Sequence, residues 1–222
     1  MLDNIKATIF DIDGTLLDSN DVWHQIDIDF MAERNLEHTK NLQDEVGGLS
    51  FYQVACYFKD KFSLEDSPEQ LVDIWHEMAY MAYSNDIVLK KGAKEYLEYL
   101  HSICMPIAVC TSNSHELVEA ALKNNGVLDI IDLIVTADDI GKSKEEPDVY
   151  LEIARRLGVN PFNCLAFDDI NPALNAINMA NMKSCAVYDK HSVKVYSEGL
   201  LRETADYFIY DFKDLEYERD KN

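Results

Sequence analysis

Two aspartates and a glycine follow the first apolar segment of this chain. Asp11, Asp13 and Gly14 come directly after a segment that ends at Phe10. Two neighbouring acids repel each other when both are ionised, so the pair favours a bound proton or cation. Carboxylate oxygens are the ligands that Mg2+ prefers, and a divalent cation lets an anionic carboxylate approach a phosphate. We therefore predict that Asp11 is a nucleophile, that Asp13 transfers protons and that Gly14 permits a sharp turn.

Polar residues also follow a second apolar segment, residues 106–110. Thr111, Ser112 and Asn113 stand between this segment and an amphipathic helical pattern. Hydroxyl groups and free backbone N–H groups at a helix start bind phosphate oxygens. Ordinary helix capping by Asn113 or Ser114 explains the same residues and is, for this segment alone, the more common meaning.

Two further segments carry charged residues in similar positions. Lys144 lies shortly before Pro147, which can start a helix, and it could neutralise both Asp11 and a phosphate. Lys142 is the competing candidate. The apolar segment 164–167 ends in Asp168 and Asp169. Adjacent residues of a strand face opposite sides, so one of these acids can reach a metal ion while its neighbour makes other contacts.

Taken together, the four segments resemble the motifs of the haloacid dehalogenase (HAD) superfamily, most of whose members are phosphatases. The first motif, DxDGT(L/V)xDS, is matched from Asp11 to Ser19, and the other three follow in the same order. The resemblance implies that Asp169 binds Mg2+ directly and that Asp168 stands where Glu is common. The carboxylate of Asp11 and the backbone carbonyl of Asp13 would complete the ligand set.

The same resemblance separates the two lysines and assigns the phosphate contacts. The spacing from Lys144 to Pro147 and Asp148 matches the family pattern, although Glu145 replaces a proline found in most relatives. Lys144 and Thr111 would therefore bind the phosphoryl oxygens. True dehalogenases and phosphonatases of the superfamily lack the second acid of the first motif, so Asp13 argues against both activities.

Strand and helix patterns alternate along most of the chain, which predicts an α/β fold. Helical patterns occur at about 92–103, 114–125, 147–157 and 171–180, and strand signals at about 6–11, 106–111, 131–136, 163–168, 183–187 and 206–209. Such alternation is typical of a Rossmann-like, doubly wound parallel sheet, whose active sites lie at the carboxyl ends of strands. All four motifs fall at such ends.

Residues 18–88 interrupt this alternation and show helical patterns only. We predict that they form an inserted α-helical cap domain, and that residues 1–17 and 89–222 form the HAD core domain. The apolar stripes of the cap domain include Trp23, Ile26 and Phe30, and Leu71, Ile74, Trp75 and Met78 after Ser67. A cap of this kind excludes water and selects the leaving group. Candidate substrate contacts in it are Trp23, Ser50, Phe51 and Tyr83.

The amino-acid composition argues against two classes of binding partner. The 222 residues carry a formal charge of −21, which disfavours nucleic acid and anionic membranes. No signal peptide or membrane-length apolar segment is present, so we expect a cytoplasmic protein. We expect the five cysteines to be reduced, because their spacing is not that of metal ligands: Cys56, Cys104, Cys110, Cys164 and Cys185.

These observations predict a Mg2+-dependent phosphatase that acts on a small phosphorylated metabolite through an aspartyl-phosphate. A sugar-phosphate mutase similar to β-phosphoglucomutase is the first alternative. Those mutases share a Lys-Gly-x-Ser-Arg string that grips a second phosphate, whereas residues 47–51 read GGLSF and carry no cation, which favours hydrolysis. A non-catalytic HAD-like binding protein is the second alternative, and the intact acids Asp11, Asp13 and Asp169 argue against it.

Overall fold

The computed structural model describes residues 1–36 and 51–215. It divides the chain into two compact units. One unit combines Met1–Asn20 with Ile87–Asn222, and the other is Asp21–Asp86.

A six-stranded parallel sheet forms the centre of the first unit. Its strands are β1 (Ala7–Phe10), β2 (Ile107–Thr111), β3 (Leu133–Thr136), β4 (Cys164–Asp168), β5 (Lys183–Val187) and β6 (Tyr207–Ile209). Their order is β3-β2-β1-β4-β5-β6, and every neighbouring pair is parallel. The predicted doubly wound α/β sheet is confirmed.

Helices connect these strands and also build the second unit. In chain order they are α1 (Val22–Glu33), α2 (Phe51–Phe62), α3 (Pro68–Asn85), α4 (Ala93–Ser102), α5 (His115–Asn124), α6 (Ala137–Ile140), α7 (Pro147–Leu157), α8 (Asn171–Met179), α9 (Ser192–Tyr196) and α10 (Glu198–Thr204). Short 3-10 helices occupy Leu128–Ile130, Pro161–Asn163 and Phe212–Asp214. The sequence patterns did not predict α6, α9 and α10, which are too short to show periodicity.

Both faces of the sheet are covered, which explains why its strands are mostly apolar. On one face Ala7 and Ile9 join a buried cluster with residues of α7 and α8. On the other face Phe10 stacks on Phe167 at 4.6 Å between ring centroids, beside Tyr96 and Phe212. The two clusters hold the central strands β1 and β4 rigidly side by side.

The strand order reverses between β1 and β4. From β1 the chain runs outward to β2 and β3, and it then returns to place β4, β5 and β6 on the other side. Ligands of open α/β sheets bind at such a switch point, at the carboxyl ends of the strands. The fold therefore gathers the residues that follow β1, β2 and β4 at one edge.

Two segments connect this unit to the second one, and they are hydrogen-bonded to each other. The Asp18 backbone N–H donates to the Val88 carbonyl at 3.0 Å, and that of Lys90 donates to the Leu16 carbonyl at 2.7 Å. Leu17 and Leu89 form an antiparallel bridge between these bonds. The departing and returning segments thus run side by side.

The second unit packs its helices around aromatic rings. Trp75 lies 5.3 Å from Phe30 and 5.0 Å from Phe58, measured between ring centroids. A capping box starts α3, because the Ser67 hydroxyl accepts from Gln70 N–H and the Gln70 side chain accepts from Ser67 N–H. The helical patterns of this region therefore mark the interior of the unit.

The candidate substrate contacts of this unit differ in position. Tyr83 is fully buried in the same α3 stripe as Trp75, whereas Trp23 is partly exposed. Ser50 and the residues 47–49 lie outside the described residues. The interpretation of this unit as a cap stays a prediction.

Candidate active site

Three aspartates gather at the carboxyl edge of the sheet. Asp11 follows β1, Asp168 ends β4 and Asp169 comes next. All three are buried, and a carboxylate oxygen from each lies within 4.8 Å of the others. Two strand ends that are neighbours in the sheet thus bring together acids more than 150 residues apart, as the motifs predicted.

Lys144 supplies the positive charge at this cluster. Its Nζ lies 2.7 Å from Asp11 Oδ1 and 3.3 Å from Asp168 Oδ2. Burial by itself would lower the pKa of Lys144, but the three carboxylates outweigh burial and raise that pKa well above its usual value. Lys142 instead pairs with Glu146 at 2.8 Å on the surface. The geometry thus distinguishes the two lysines that the sequence offered.

The Asp11 carboxylate is only half satisfied. Its Oδ1 faces Lys144, while Oδ2 is buried and has no hydrogen-bond partner within residues 1–36 and 51–215. Burial raises the pKa of Asp11 well above its ordinary value, the charges of Asp168 and Asp169 add to this effect, and Lys144 opposes it. A buried polar atom without a partner is costly, so this oxygen marks a place for a ligand.

Asp169 is held at both oxygens. Thr15 Oγ1 donates to its Oδ1 at 3.1 Å, and Ser192 Oγ donates to its Oδ2. Burial and the neighbouring Asp168 raise the pKa of Asp169 to about 6, against the opposing effects of Lys144 and Ser192. Asp168 is oriented differently, since its Oδ1 accepts from the backbone N–H of Ile170 at 3.0 Å.

The turn after β1 needs its glycine. Gly14 has a φ of 80°, in the left-handed region that favours glycine. A Cβ atom at this position would overlap with the carboxylate of Asp169 and with Asn20 Nδ2. Gly14 therefore serves both the turn and the close approach of Asp169.

Asp13 lies at the same edge, but its carboxylate has other partners. Its Oδ1 accepts from Ser19 Oγ at 2.6 Å and its Oδ2 accepts from Asn113 Nδ2 at 3.0 Å. The cluster of three acids consists of Asp11, Asp168 and Asp169 and does not include this carboxylate. The sequence placed Asp11 and Asp13 side by side, and the structure gives their carboxylates separate surroundings.

The segment after β2 joins the site through Asn113. Thr111 is buried at the end of β2, and its Oγ1 accepts from the Asn113 backbone N–H at 3.0 Å. Ser114 is the N-cap of α5, since its side chain accepts from the Leu117 N–H. Ser114 therefore caps the helix, whereas the Ser112 side chain is exposed. Helix capping and contact with Asp13 are therefore performed by different residues of this segment.

One cavity of about 320 Å³ opens on the cluster. Asp13, Lys144 and Asp169 line one side of it. The remaining lining residues are Asn20, Ile170, His191, Ser192, Val195 and Tyr196. This volume is in the range of sites for small ligands.

The cluster has the chemistry of a cation site. Three buried carboxylates lie together here, and Lys144 pairs with two of them, those of Asp11 and Asp168. Their formal charges leave an excess of negative charge that a divalent cation would compensate. Hard carboxylate oxygens and the unpartnered Asp11 Oδ2 fit such an ion. The residues present therefore can hold a metal ion.

The segment after β5 contributes residues that the sequence motifs did not indicate. Asp189 is buried, accepts from Asn20 Nδ2 at 2.9 Å and pairs with Lys90 at 3.1 Å. Ser192 contacts Asp169 as described above. The signal that could have found them is positional, because this segment also follows a strand of the parallel sheet at its carboxyl end.

Known proteins are similar to this chain in sequence. The sequence profile described as haloacid dehalogenase-like hydrolase matches residues 8–187. Hexitol phosphatase B of Escherichia coli K12 is 26% identical over 185 residues, which cover 82% of this chain and 83% of that protein. Phosphorylated carbohydrates phosphatase of Thermotoga maritima is 23% identical over 179 residues, with coverage of 81% and 83%.

A solved structure shows the same fold. β-Phosphoglucomutase from Clostridium difficile superposes with a TM-score of 0.69 at 22% identity, over 96% of this chain and 94% of that chain. Within the described residues, no helix has both the length and the apolar character needed to cross a membrane.

Proposed function

This chain belongs to the haloacid dehalogenase-like hydrolase family, and from that premise we propose that it is a Mg2+-dependent phosphatase of a small phosphorylated metabolite. The observation that carries the proposal is the Asp11 carboxylate. One of its oxygens is paired with Lys144, and the other is buried without a partner in the described residues. Lys144 and Asp169, the neighbours of Asp11 in the cluster, line the cavity. The unpaired oxygen is therefore available to attack phosphorus as a nucleophile.

Mg2+ is the cation that we assign to the site. Asp11, Asp169 and the backbone carbonyl of Asp13 would hold it, with Asp168 beside them in the same acid cluster. When bound, the ion would neutralise charge on the phosphoryl group and on the carboxylate that approaches it.

Asp11 forms the covalent intermediate. Its carboxylate oxygen bonds to phosphorus while the bond from phosphorus to the leaving oxygen breaks, which yields an aspartyl-phosphate and an alkoxide. Asp13 gives the alkoxide a proton. In the second step Asp13 takes a proton from water as the water oxygen attacks the same phosphorus atom, and inorganic phosphate and free Asp11 result. Ser19 and Asn113 keep the Asp13 carboxylate in place for both transfers.

Lys144 and the segment after β2 bind the phosphoryl oxygens. Lys144 Nζ lies close enough to Asp11 to contact a phosphoryl group attached to it. The Thr111 oxygen accepts from Asn113 N–H, which leaves its hydroxyl hydrogen to donate to phosphate. Ser112 and Asn113 would add polar contacts, and Gly14 lets the backbone approach closely.

The helical unit would act as the cap. Its side chains, Ser50 among them, would select the leaving group and exclude water from the reaction. We would test phosphorylated sugars and polyols first, because two relatives are named for hexitol and for phosphorylated carbohydrates. The five free cysteines fit a reducing compartment such as the cytoplasm.

The deciding experiment measures phosphate release from a panel of sugar phosphates, polyol phosphates and nucleotides, each with Mg2+ and with EDTA. Asp11→Asn is the inactive control, because a neutral amide cannot attack phosphorus. Asp129→Asn removes an exposed acid and is the matched control that should retain activity. Mg2+-dependent release by the wild type and by Asp129→Asn alone is expected. Equal release by Asp11→Asn would overturn the assignment of the nucleophile.

Mutase activity is the second candidate, because the fold is shared with β-phosphoglucomutase. Residues 47–51 carry no lysine or arginine, so a bisphosphate intermediate would lack the cations that grip it in those mutases. Product analysis separates the two activities. A mutase returns an isomeric sugar phosphate, whereas the phosphatase releases inorganic phosphate and the free alcohol.

A further inference from the structure

Asp189 organises the short segment between β5 and α9. Its side chain is nearly fully buried and is used at both oxygens. Oδ1 accepts from the backbone N–H groups of His191 and Ser192, at 2.8 and 3.3 Å, and from Asn20 Nδ2. Oδ2 pairs with Lys90 Nζ at 3.1 Å. The start of α9 is thereby held in one orientation.

That orientation aims Ser192 at the acid cluster. Ser192 is the first residue of α9, and its hydroxyl donates to Asp169 Oδ2. Thr15 donates to the other oxygen at 3.1 Å. The terminal torsion of an aspartate side chain is only weakly restricted by its own rotamer preference. Donors on both carboxylate oxygens therefore hold the plane of the group in one orientation.

We propose that Asp189 and Ser192 are positioning residues for the metal site: Asp189 fixes the start of α9, and Ser192 then orients the Asp169 carboxylate towards the cation. The inference rests on the proposed function, because it takes the acid cluster to be the site of Mg2+. Residues that orient a ligand without touching the ion typically change metal affinity by about 10- to 100-fold when they are removed.

Lys90 makes this arrangement compatible with a cluster that already has excess negative charge. An unpaired Asp189 would add a further carboxylate near Asp169 and repel it. The Lys90 ammonium also donates to the Tyr188 carbonyl at 2.8 Å, so it is held against the same segment. Asp189 can therefore anchor α9 as an ion while its charge is balanced locally.

The test measures the Kd for Mg2+ by isothermal titration calorimetry on the full chain, without substrate. Ser192→Ala is expected to raise Kd by about 10-fold or more, and Asp189→Ala to raise it in the same direction. If Asp189 acts through Ser192, the double variant binds no more weakly than Ser192→Ala alone. Ser192→Thr keeps the hydroxyl and is expected to bind close to the wild-type value.

Asp206→Ala is the matched control. Asp206 pairs with Lys183 at 2.6 Å and accepts from the Ser184 backbone N–H, but it lies at the opposite end of β5. It therefore reproduces the loss of an aspartate, a lysine partner and an amide contact without touching the cluster. Its Kd for Mg2+ should equal that of the wild type.

Several outcomes would overturn the proposal. An unchanged Kd in Ser192→Ala would do so while leaving the phosphatase assignment intact. If the double variant raises the Kd for Mg2+ by the product of the two single effects, Asp189 does not act through Ser192. If Asp189→Ala does not fold, Asp189→Asn replaces it, and Ser192→Ala alone still decides the role of Ser192. Weakened Mg2+ binding in a protein that hydrolyses no phosphate would support the positioning roles and reject the phosphatase.

Discussion

Neutralising Asp169 is expected to stabilise the metal-free protein at neutral pH, although it damages the site. Burial and Asp168 raise the pKa of Asp169 from 3.8 to about 6 in the folded chain. An acid with a raised folded-state pKa binds its proton more tightly in the native state than in the unfolded state. The contribution of Asp169 to the free energy of unfolding therefore falls as pH rises from about 4 to about 6 and changes no further above that window.

The magnitude follows from the size of the shift. Two pKa units correspond to about 3 kcal/mol at 25 °C. At pH 4 the protonated Asp169 resembles an asparagine, so Asp169→Asn and the wild type should have similar stabilities. At pH 7.5 in EDTA the variant should be more stable by about 3 kcal/mol. The charge of Asp169 also raises the pKa of Asp11, so the difference between the two proteins at neutral pH includes the relief of that repulsion.

Urea unfolding followed by circular dichroism measures this difference at pH 4, 5, 6 and 7.5, each in EDTA and in excess Mg2+. Bound Mg2+ stabilises only the native state, and it should reverse the order at pH 7.5 because the wild type alone retains the full ligand set. A difference between the two proteins that stays constant from pH 4 to 7.5 in EDTA would refute the reasoning. It would mean that burial does not raise the pKa of Asp169.

Three further predictions concern single positions. Lys144→Met should lower kcat/KM at least about 100-fold, since it removes the cation beside Asp11, while the matched Lys142→Met should retain wild-type kinetics; equal losses would reject the choice between these lysines. Gly14→Ala should destabilise the chain by about 2 kcal/mol more than Gly141→Ala, because both glycines have positive φ but only Gly14 lacks space for a Cβ; equal effects in urea unfolding would remove the steric argument. Ser67→Ala should cost about 1 kcal/mol by breaking the capping box of α3, whereas Ser102→Ala near the end of α4 breaks no N-cap and should cost less; thermal unfolding of the two variants measures the difference.

Much of the core could be predicted because its signals are local. Each strand of the sheet is a short, mostly apolar segment, and polar residues stand at the ends of β1, β2 and β4, which the parallel topology must bring to one edge. The meeting of Asp11 with Asp168 and Asp169 follows from that rule alone. The lysine was the harder choice, since Lys142 and Lys144 are alike in sequence and only packing buries one of them.

Other features depend on tertiary contacts that leave no local pattern. The separation of the Asp13 carboxylate from the acid cluster arises because Ser19 and Asn113 bind it, and Asn113 lies 100 residues away. The contact of Ser192 with Asp169 depends on a five-residue helix that is too short for hydrophobic periodicity. Such contacts form only once the strands are assembled.

The pairing of the two connecting segments has a consequence for folding. The bond between Asp18 and Val88 closes a loop over residues 18–88, and closing it as a flexible chain would cost about 4 kcal/mol of conformational entropy. Within the helical unit, Val22 at the start of α1 and Asp86 after α3 line the same cavity, so the two ends of this unit are already neighbours. Once its helices pack, the two ends of the unit lie close together. Pairing of the connecting segments then no longer requires the closure of a long flexible loop, and its entropic cost is smaller.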